Sequence, residues 1–196
     1  EAEPAAVAAA SYEWDLSFQT ENEPPIPNLS AEKLRPFDAF YCGDAEQKRL
    51  YLTFDAGYEN GNTAPILDAL KKHNVKATFF VVGDWVDKYP ESVKALHDAG
   101  HEVMNHSNTH AHYPQLSPQA VVDDLNACND KIEAVTGVRP TLVRLPYGDY
   151  DDNAIRAVRS TGMEPIQWDV DSLDWKELPA QEIAQRVTGK VQPGSI

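Results

Sequence analysis

The feature that most constrains the fold is a regular alternation of short apolar runs and longer amphipathic segments, which begins at residue 50. The runs at residues 50–54, 77–82 and 141–145 are rich in β-branched, aromatic and leucine side chains, which favours buried strands. The segments between them carry apolar residues at helical spacing, and several end at a glycine. Strands that alternate with helices form parallel sheets with right-handed crossovers. The sequence therefore predicts an α/β fold.

The predicted elements continue to residue 191, with Thr63 and Ser117 as the N-caps of two helices. Strands are expected at residues 50–54, 77–82, 101–105, 141–145 and 164–170, and helices at residues 63–73, 90–99, 118–136, 152–161 and 180–191, with a short helical stretch around Trp85. A closed barrel and an open doubly wound sheet both fit this order. The chain lacks the glycine-rich nucleotide-binding loop that is typical of doubly wound sheets, so a barrel is favoured.

The composition excludes one class of partner. A length of 196 residues suits one domain with its own core, and we expect a monomer. The formal net charge of −14 argues against nucleic acid, whose phosphates bind basic surfaces. No apolar run is long enough to be a transmembrane segment. The two cysteines, Cys42 and Cys128, have no metal-binding spacing, and we expect free thiols rather than a disulfide.

Residues 1–49 are expected to form an N-terminal arm or leader before a domain at residues 50–196. Residues 1–10 are rich in alanine and lack the basic head and apolar core of an intact signal peptide, which fits the remnant of an exported protein. We therefore expect an extracellular or cell-wall-associated protein. Aromatic residues and prolines at positions 11–40 indicate an irregular arm packed on the domain, with a partly disordered leader as the alternative.

The first candidate functional residue is Asp55. It comes directly after the first predicted strand, and Gly57 and Gly61 favour a loop just beyond it. Catalytic groups gather at the carboxyl edge of parallel sheets, which makes Asp55 a candidate catalytic carboxylate. On this segment alone, a carboxylate that only caps the next helix or closes a turn is an equal alternative.

Three further polar clusters follow later strands. His106 and His110, after the third strand, lie four residues apart and can share a metal ion if the segment is a helical turn; a chance surface pair is the alternative. Arg144, after the fourth strand, can hold a carboxylate ionised and oriented, or form an ordinary surface ion pair. Asp174 and Trp175, after the fifth strand, suggest a polar anchor beside an aromatic wall, or a capped helix with a packed indole.

Together these segments resemble the NodB-homology polysaccharide deacetylases, carbohydrate esterase family 4. The motifs of that family are Thr-Phe-Asp-Asp-Gly, His-Ser/Thr-x-x-His, Arg-x-Pro-Tyr and Asp-x-x-Asp-Trp. They are matched in order, with one exception in the first, by residues 53–57, 106–110, 144–147 and 171–175. The resemblance covers residues 50–196 and implies a distorted (β/α) barrel with about seven parallel strands. Residues 58–61 are most similar to the sporulation-type branch, which removes acetyl groups from muramic acid in peptidoglycan.

The resemblance implies a role for each matched residue and an N-acetylated glycan as the partner. Asp55 would take a proton from the attacking water, with Arg144 keeping Asp55 ionised. His106 and His110 would hold a divalent metal, expected to be zinc, and the Tyr147 backbone N–H would support the oxyanion. The remaining candidates would orient a catalytic histidine (Asp174) or contact the substrate (Trp175, Tyr58 and Pro146).

Two departures from the family pattern weaken these expectations. Ala56 stands where the family has a second aspartate, a metal ligand, so we expect a weaker metal site unless Glu59 or another acid moves in. The last motif of the family, Leu-x-His, would lie beyond Ile196, so the 196-residue chain is expected to be inactive or poorly active. These departures motivate an alternative function, a glycan-binding pseudoenzyme. A deacetylase acting on O-acetyl xylan or chitin is a further alternative.

Overall fold

The computed structural model describes Trp14, residues 16–17 and 26–27, and residues 40–196. Its strands are β1 (Leu16–Ser17), β2 (Ile26–Pro27), β3 (Thr53–Ala56), β4 (Thr78–Val81), β5 (Glu102–Asn105), β6 (Leu142–Val143) and β7 (Glu164–Pro165). Its helices are α1 (Thr63–Lys72), α2 (Gly83–Lys88), α3 (Pro90–Asp98), α4 (Pro118–Thr136), α5 (Asp152–Ser160) and α6 (Ala180–Thr188). Strands β3 to β7 form one parallel sheet of five strands in chain order, which confirms the predicted α/β fold.

Ser195 and Ile196 join the last strand of this sheet to the first. On one side, Tyr51 N, just before β3, donates a hydrogen bond to Ser195 O at 2.8 Å. On the other side, the N–H groups of Asp169 and Val170, after β7, donate to Ile196 O at 3.3 Å. The Asp169 carboxylate also accepts hydrogen bonds from Ser195 Oγ at 2.9 Å and from Ile196 N at 2.7 Å. Backbone contacts therefore run around a closed ring, as in a barrel.

Helix α4 packs across the sheet and connects two apolar clusters. Its Leu125 lies in a cluster with Val143 of β6, and its Ile132 lies in a second cluster with Val81 of β4. All four side chains are fully buried. Burial of an aliphatic side chain of this size contributes about 1.5–3 kcal/mol, so α4 contributes strongly to the position of β4 and β6.

Both ends of α4 follow the prediction. Ser117 Oγ accepts a hydrogen bond from the backbone N–H of Ala120, which makes Ser117 the N-cap. Gly137 ends the helix with φ 75°, a conformation that costs other residues about 1–2 kcal/mol.

Several element boundaries differ from the prediction. β3 begins at Thr53 instead of residue 50, and Leu50 and Leu52 are 58% and 43% exposed ahead of it. β7 ends at Pro165 instead of residue 170, although Ile166 N still donates a hydrogen bond to Val143 O at 2.8 Å. Asn62, not Thr63, is the N-cap of α1, whose first residue is Thr63.

The described part of the N-terminal region contacts the domain. Trp14 is buried, and its Nε1 donates a hydrogen bond to Trp168 O at 2.9 Å. β1 and β2 pair antiparallel, and Phe40 forms a parallel bridge to the residue after β7. The prediction that other aromatics of the arm, such as Phe18 and Phe37, pack on the domain lies outside the described residues.

Both cysteines are free thiols, as predicted. Burial raises the pKa of Cys128 to about 12, which keeps this thiol protonated and unreactive. Within the described ranges, no helix is both long and apolar enough to cross a bilayer.

Candidate active site

Three strands deliver polar side chains to one rim of the sheet. Asp55 lies near the end of β3, His106 directly follows β5, and Arg144 directly follows β6. The carboxyl ends of parallel strands share one edge, so these residues meet although they are far apart in the chain. Arg144 Nη1 lies 2.9 Å from Asp55 Oδ1, and His106 Nε2 lies 3.9 Å from Asp55 Oδ2.

Arg144 connects two sides of the ring through its guanidinium. The residue is 3% exposed, and its Nη1 donates to Thr53 Oγ1 at 2.8 Å as well as to Asp55. Its Nε donates to Ile166 O at 3.2 Å, and its Nη2 donates to Gln167 O at 3.1 Å. The guanidinium therefore ties β3 to the segment after β7. Because the planar guanidinium donates hydrogen bonds to four acceptors, it is fixed in place and in turn fixes the orientation of the Asp55 carboxylate.

The Asp55 carboxylate faces Arg144 and does not cap the next helix. Glu59 takes the local role instead: its Oε1 accepts from Gly61 N at 2.8 Å, and its Oε2 accepts from Thr63 Oγ1 at 2.6 Å. The hydrogen bond from Thr63 lowers the pKa of Glu59. The alternative interpretation of Asp55 as a cap is therefore wrong, and Glu59 is engaged at the start of α1 instead of reaching the imidazoles.

His106 is oriented by a backbone carbonyl. The side chain is buried, and its Nδ1 lies 2.8 Å from Arg144 O. Because a carbonyl oxygen only accepts, Nδ1 carries the hydrogen and Nε2 presents its lone pair on the side of Asp55. Metal-binding imidazoles are commonly fixed in one tautomer in this way.

His110 reaches the same place from a loop. Ser107 and His110 have φ values of 70° and 55°, so the segment is not the helical turn that would place the two histidines on one face. Ser107 Oγ accepts a hydrogen bond from His110 N at 2.8 Å and folds the loop back. The rings of His106 and His110 consequently lie edge to face with their centroids 4.9 Å apart.

Asp124 of α4 holds the loop that carries His110. Its carboxylate accepts hydrogen bonds from Asn108 N at 2.8 Å, from Thr109 Oγ1 at 2.7 Å and from Tyr113 OH at 2.9 Å. Sequence reasoning missed this residue, because it lies 11 to 16 positions from its partners and forms no recognisable motif with them.

The donor set fits a transition metal held by imidazole, with one protein ligand fewer than usual. Burial, and then the neighbouring His106, lower the pKa of His110 to about 4, so this ring is neutral and can bind a cation without losing a proton. Ala56 is the last residue of β3, and its methyl group is partly buried against an apolar cluster. Within the described residues, no group of three histidine, cysteine or acidic side chains is arranged around one ion. The two imidazoles alone are the candidate ligands.

Tyr147 lies in a tight turn beside the imidazoles. The turn, Pro146–Gly148, places Tyr147 at φ 61°. The Tyr147 ring lies 4.6 Å from the ring of His110 and 4.0 Å from the ring of His112. Among the described residues, none accepts a hydrogen bond from the Tyr147 backbone N–H. This N–H can therefore bind a ligand.

His112 and Asp149 also belong to this region, and sequence reasoning missed them. His112 Nδ1 lies 2.9 Å from Asp149 Oδ2. The available signal was position, since His112 lies two residues after His110 and Asp149 directly follows the turn Pro146–Gly148.

Pro146 lies in the turn of Tyr147, and the other three predicted site residues, Tyr58, Asp174 and Trp175, form no hydrogen bond, ion pair or ring contact with the cluster within the described part of the chain. Tyr58 is 92% exposed and Trp175 is 71% exposed. Asp174 begins the short 3-10 helix Asp174–Lys176, and its N–H donates to Ser172 Oγ at 3.4 Å. The ring of Trp175 lies 4.9 Å from Lys176 Nζ. The roles expected for these three residues stay predictions.

Comparisons with known proteins find a deacetylase family and relatives named as peptidoglycan deacetylases. A family model described as polysaccharide deacetylase matches residues 43–166. The peptidoglycan-N-acetylmuramic acid deacetylase PdaA of Bacillus subtilis is 34% identical over 177 residues, which cover 89% of this chain and 67% of PdaA. A peptidoglycan-N-acetylglucosamine deacetylase of Bacillus cereus is 33% identical over 156 residues, which cover 80% of this chain and 57% of that protein.

Solved structures agree with the sequence relatives. The structure of PdaA, a family 4 carbohydrate esterase, matches with a TM-score of 0.88 and 31% identity, over 95% of this chain and 82% of that chain. A family 4 pseudoenzyme from Bacillus anthracis matches with a TM-score of 0.78 and 37% identity, over 81% of this chain and 56% of that chain. A mutant of that pseudoenzyme with restored enzymatic activity also has a TM-score of 0.78. Similarity alone therefore does not separate an active enzyme from a pseudoenzyme.

Proposed function

Because the chain belongs to the polysaccharide deacetylase family, we propose that it hydrolyses the acetamide of an N-acetylated sugar in peptidoglycan. N-acetylmuramic acid is the proposed sugar, since PdaA acts on it and matches along nearly the whole chain. The observation that carries the proposal is the Asp55 carboxylate, held by Arg144 at 2.9 Å beside the lone pair of His106. This arrangement provides a base in a fixed position at the rim where two imidazoles meet.

Asp55 is the proposed general base. Its Oδ1 is occupied by Arg144, which leaves Oδ2 to accept a proton from the attacking water. The side chain of Asp55 is 37% exposed, so water and substrate can reach it, whereas that of Arg144 is only 4% exposed and cannot swing away. The guanidinium thus serves to hold the carboxylate in one orientation.

His106 and His110 are the proposed metal ligands. Deacetylases of this family are generally metal-dependent. A divalent ion, proposed to be zinc, would supply a more acidic water and polarise the acetamide carbonyl. The chain contributes two imidazoles, one fixed by the Arg144 carbonyl and the other by the loop anchored on Asp124. The missing carboxylate at Ala56 predicts weak binding.

Tyr147 is the proposed oxyanion donor through its backbone N–H. A single donor of this kind is worth about 3 kcal/mol of transition-state stabilisation. The proposed substrate contacts are Trp175, Tyr58 and Pro146. Asp174 is proposed to orient the histidine of the family's Leu-x-His motif, which would protonate the leaving amine. A protein with this substrate acts at the cell wall, so we propose an extracellular or wall-associated location.

A panel of acetylated glycans tests the proposal. The full-length protein is incubated with zinc and with peptidoglycan strands, chitin oligosaccharides or acetyl xylan, and released acetate is measured. We expect acetate from peptidoglycan, together with new free amines on its muramic residues. Acetate from acetyl xylan or chitin alone would reject the proposed substrate.

Ala56 favours one alternative, a glycan-binding pseudoenzyme. A methyl group cannot bind a cation, and a family member that lost a metal ligand can keep its groove without the reaction. This alternative predicts that the protein is retained on peptidoglycan and releases no acetate from any member of the panel. Acetate release from peptidoglycan would exclude it.

A further inference from the structure

The backbone of Tyr147 is held in a conformation that a tyrosine rarely adopts. Its φ of 61° lies in the left-handed region, which costs a residue with a side chain about 1–2 kcal/mol. Such a conformation persists only where surrounding contacts fix it. Tyr147 is also 54% exposed, so burial of its ring does not supply that restraint.

One side of the turn is fixed by Gly148 and the N-terminal arm. Gly148 has φ 67°, and a Cβ there would lie 2.7 Å from Trp14 Cβ and 3.1 Å from the ring of Trp168. Gly148 O accepts hydrogen bonds from Trp14 N at 3.2 Å and from Gln167 Nε2 at 3.4 Å. These contacts fix the residue after Tyr147 but do not touch the Tyr147 side chain.

The other side is fixed by His112. The rings of His112 and Tyr147 are stacked, with an interplanar angle of 9° and centroids 4.0 Å apart. His112 Nδ1 lies 2.9 Å from Asp149 Oδ2, and because a carboxylate only accepts, the imidazole donates. Asp149 is buried, and its own N–H donates to Pro146 O at 3.0 Å. The contacts form a loop from Tyr147 to His112 to Asp149 and back to the turn.

We propose that His112 is a positioning residue: held by Asp149, it stacks on Tyr147 and keeps the backbone N–H of that residue in place for the oxyanion. His112 needs no contact with the substrate for this role. The inference rests on the proposed deacetylation for its kinetic consequence, but the restraint on the turn is a property of the protein without substrate.

The kinetic signature follows from this role. Loss of the stacked ring lets the turn relax, which moves the N–H away from the developing oxyanion and leaves substrate binding unchanged. We expect His112→Ala to lower kcat by about tenfold with KM within about twofold. His112→Phe keeps a flat ring without the hydrogen bond and should recover part of the loss. Asp149→Ala should resemble His112→Ala, and the double variant should be no worse, because the two residues act in series.

The test combines these kinetics with hydrogen exchange at the Asp149 amide in the substrate-free protein, because this N–H donates to Pro146 O and closes the turn that holds Tyr147. The matched control is His73→Ala, an exposed histidine just after α1, which should change neither quantity. We expect faster exchange at the Asp149 amide in His112→Ala and an intermediate rate in His112→Phe.

The outcomes separate the inference from the proposed function. Unchanged exchange and unchanged kcat in His112→Ala would overturn the positioning role, whatever the substrate. A raised KM with unchanged kcat would also overturn it, because His112 would then bind substrate. If exchange is faster in His112→Ala but the wild-type protein releases no acetate, the positioning role is supported and the deacetylase function is rejected.

Discussion

Replacement of Arg144 by lysine should destabilise the protein far more than a charge-conserving change usually does. Lysine keeps the positive charge near Asp55 but has one donor group in place of the planar fork. The backbone oxygens of Ile166 and Gln167 then lose the guanidinium donors that lie 3.2 and 3.1 Å away. Each unsatisfied buried acceptor costs about 1–3 kcal/mol, so we expect a total loss of about 2–6 kcal/mol.

Urea unfolding measures this loss directly. With a slope of about 1–3 kcal/mol per molar urea, the midpoint should fall by about 1 M or more. The matched control is Arg139→Lys, which makes the same substitution at a side chain that is 44% exposed and paired with Asp130 and Glu133. Surface pairs contribute about 0–1 kcal/mol, so the control midpoint should change little. Equal midpoints for the two variants would refute the role of Arg144 as a buried connection between β3 and the segment after β7.

Three further predictions concern the imidazoles and their surroundings. The folded-state pKa of His110 is lowered from 6.5 to about 4, so between these pH values the folded protein binds fewer protons than the unfolded chain. The stability of the metal-free protein should therefore fall as the pH drops through this window. At about 1.4 kcal/mol per pKa unit, the maximum loss of stability is about 3 kcal/mol. Urea unfolding at pH 7 and pH 4 measures this loss, and His110→Gln should abolish it. An unchanged pH dependence of stability in the variant would count against the buried neutral ring. Ala56→Asp should tighten zinc binding by about tenfold or more in a competition titration, whereas the neutral Ala56→Asn should not, and equal affinities for both would place position 56 outside the metal site. Asp124→Ala should weaken zinc binding by about tenfold by releasing the loop of His110, and unaltered affinity would show that the loop is held without Asp124.

The sequence was most informative where local chemistry and periodicity agree. Ser117 and Gly137 mark the ends of α4 because a hydroxyl cap and a left-handed glycine act within a few residues of the helix itself. The order of strands and helices predicted the rim at which Asp55, His106 and Arg144 meet, since parallel strands place their carboxyl ends together.

Local reasoning failed where distant contacts decide the structure. The spacing of His106 and His110 suggested a helical turn, but Ser107 and Asp124 fold the segment into a loop. Asp149 is 37 residues from His112, and no motif joins them. Pairing of this kind depends on how β5 and β6 are packed, which periodicity does not encode.

Replacement of Asp55 by asparagine tests the central claim most directly. Acetate release from peptidoglycan is compared, in the full-length protein, between the wild type, Asp55→Asn and Asp68→Asn, which removes the same charge at an exposed position on α1. If Asp55 is the base that Arg144 holds in place, kcat/KM should fall by about a thousandfold in Asp55→Asn with the fold intact, and should stay at the wild-type value in Asp68→Asn. Wild-type turnover by Asp55→Asn would contradict the account.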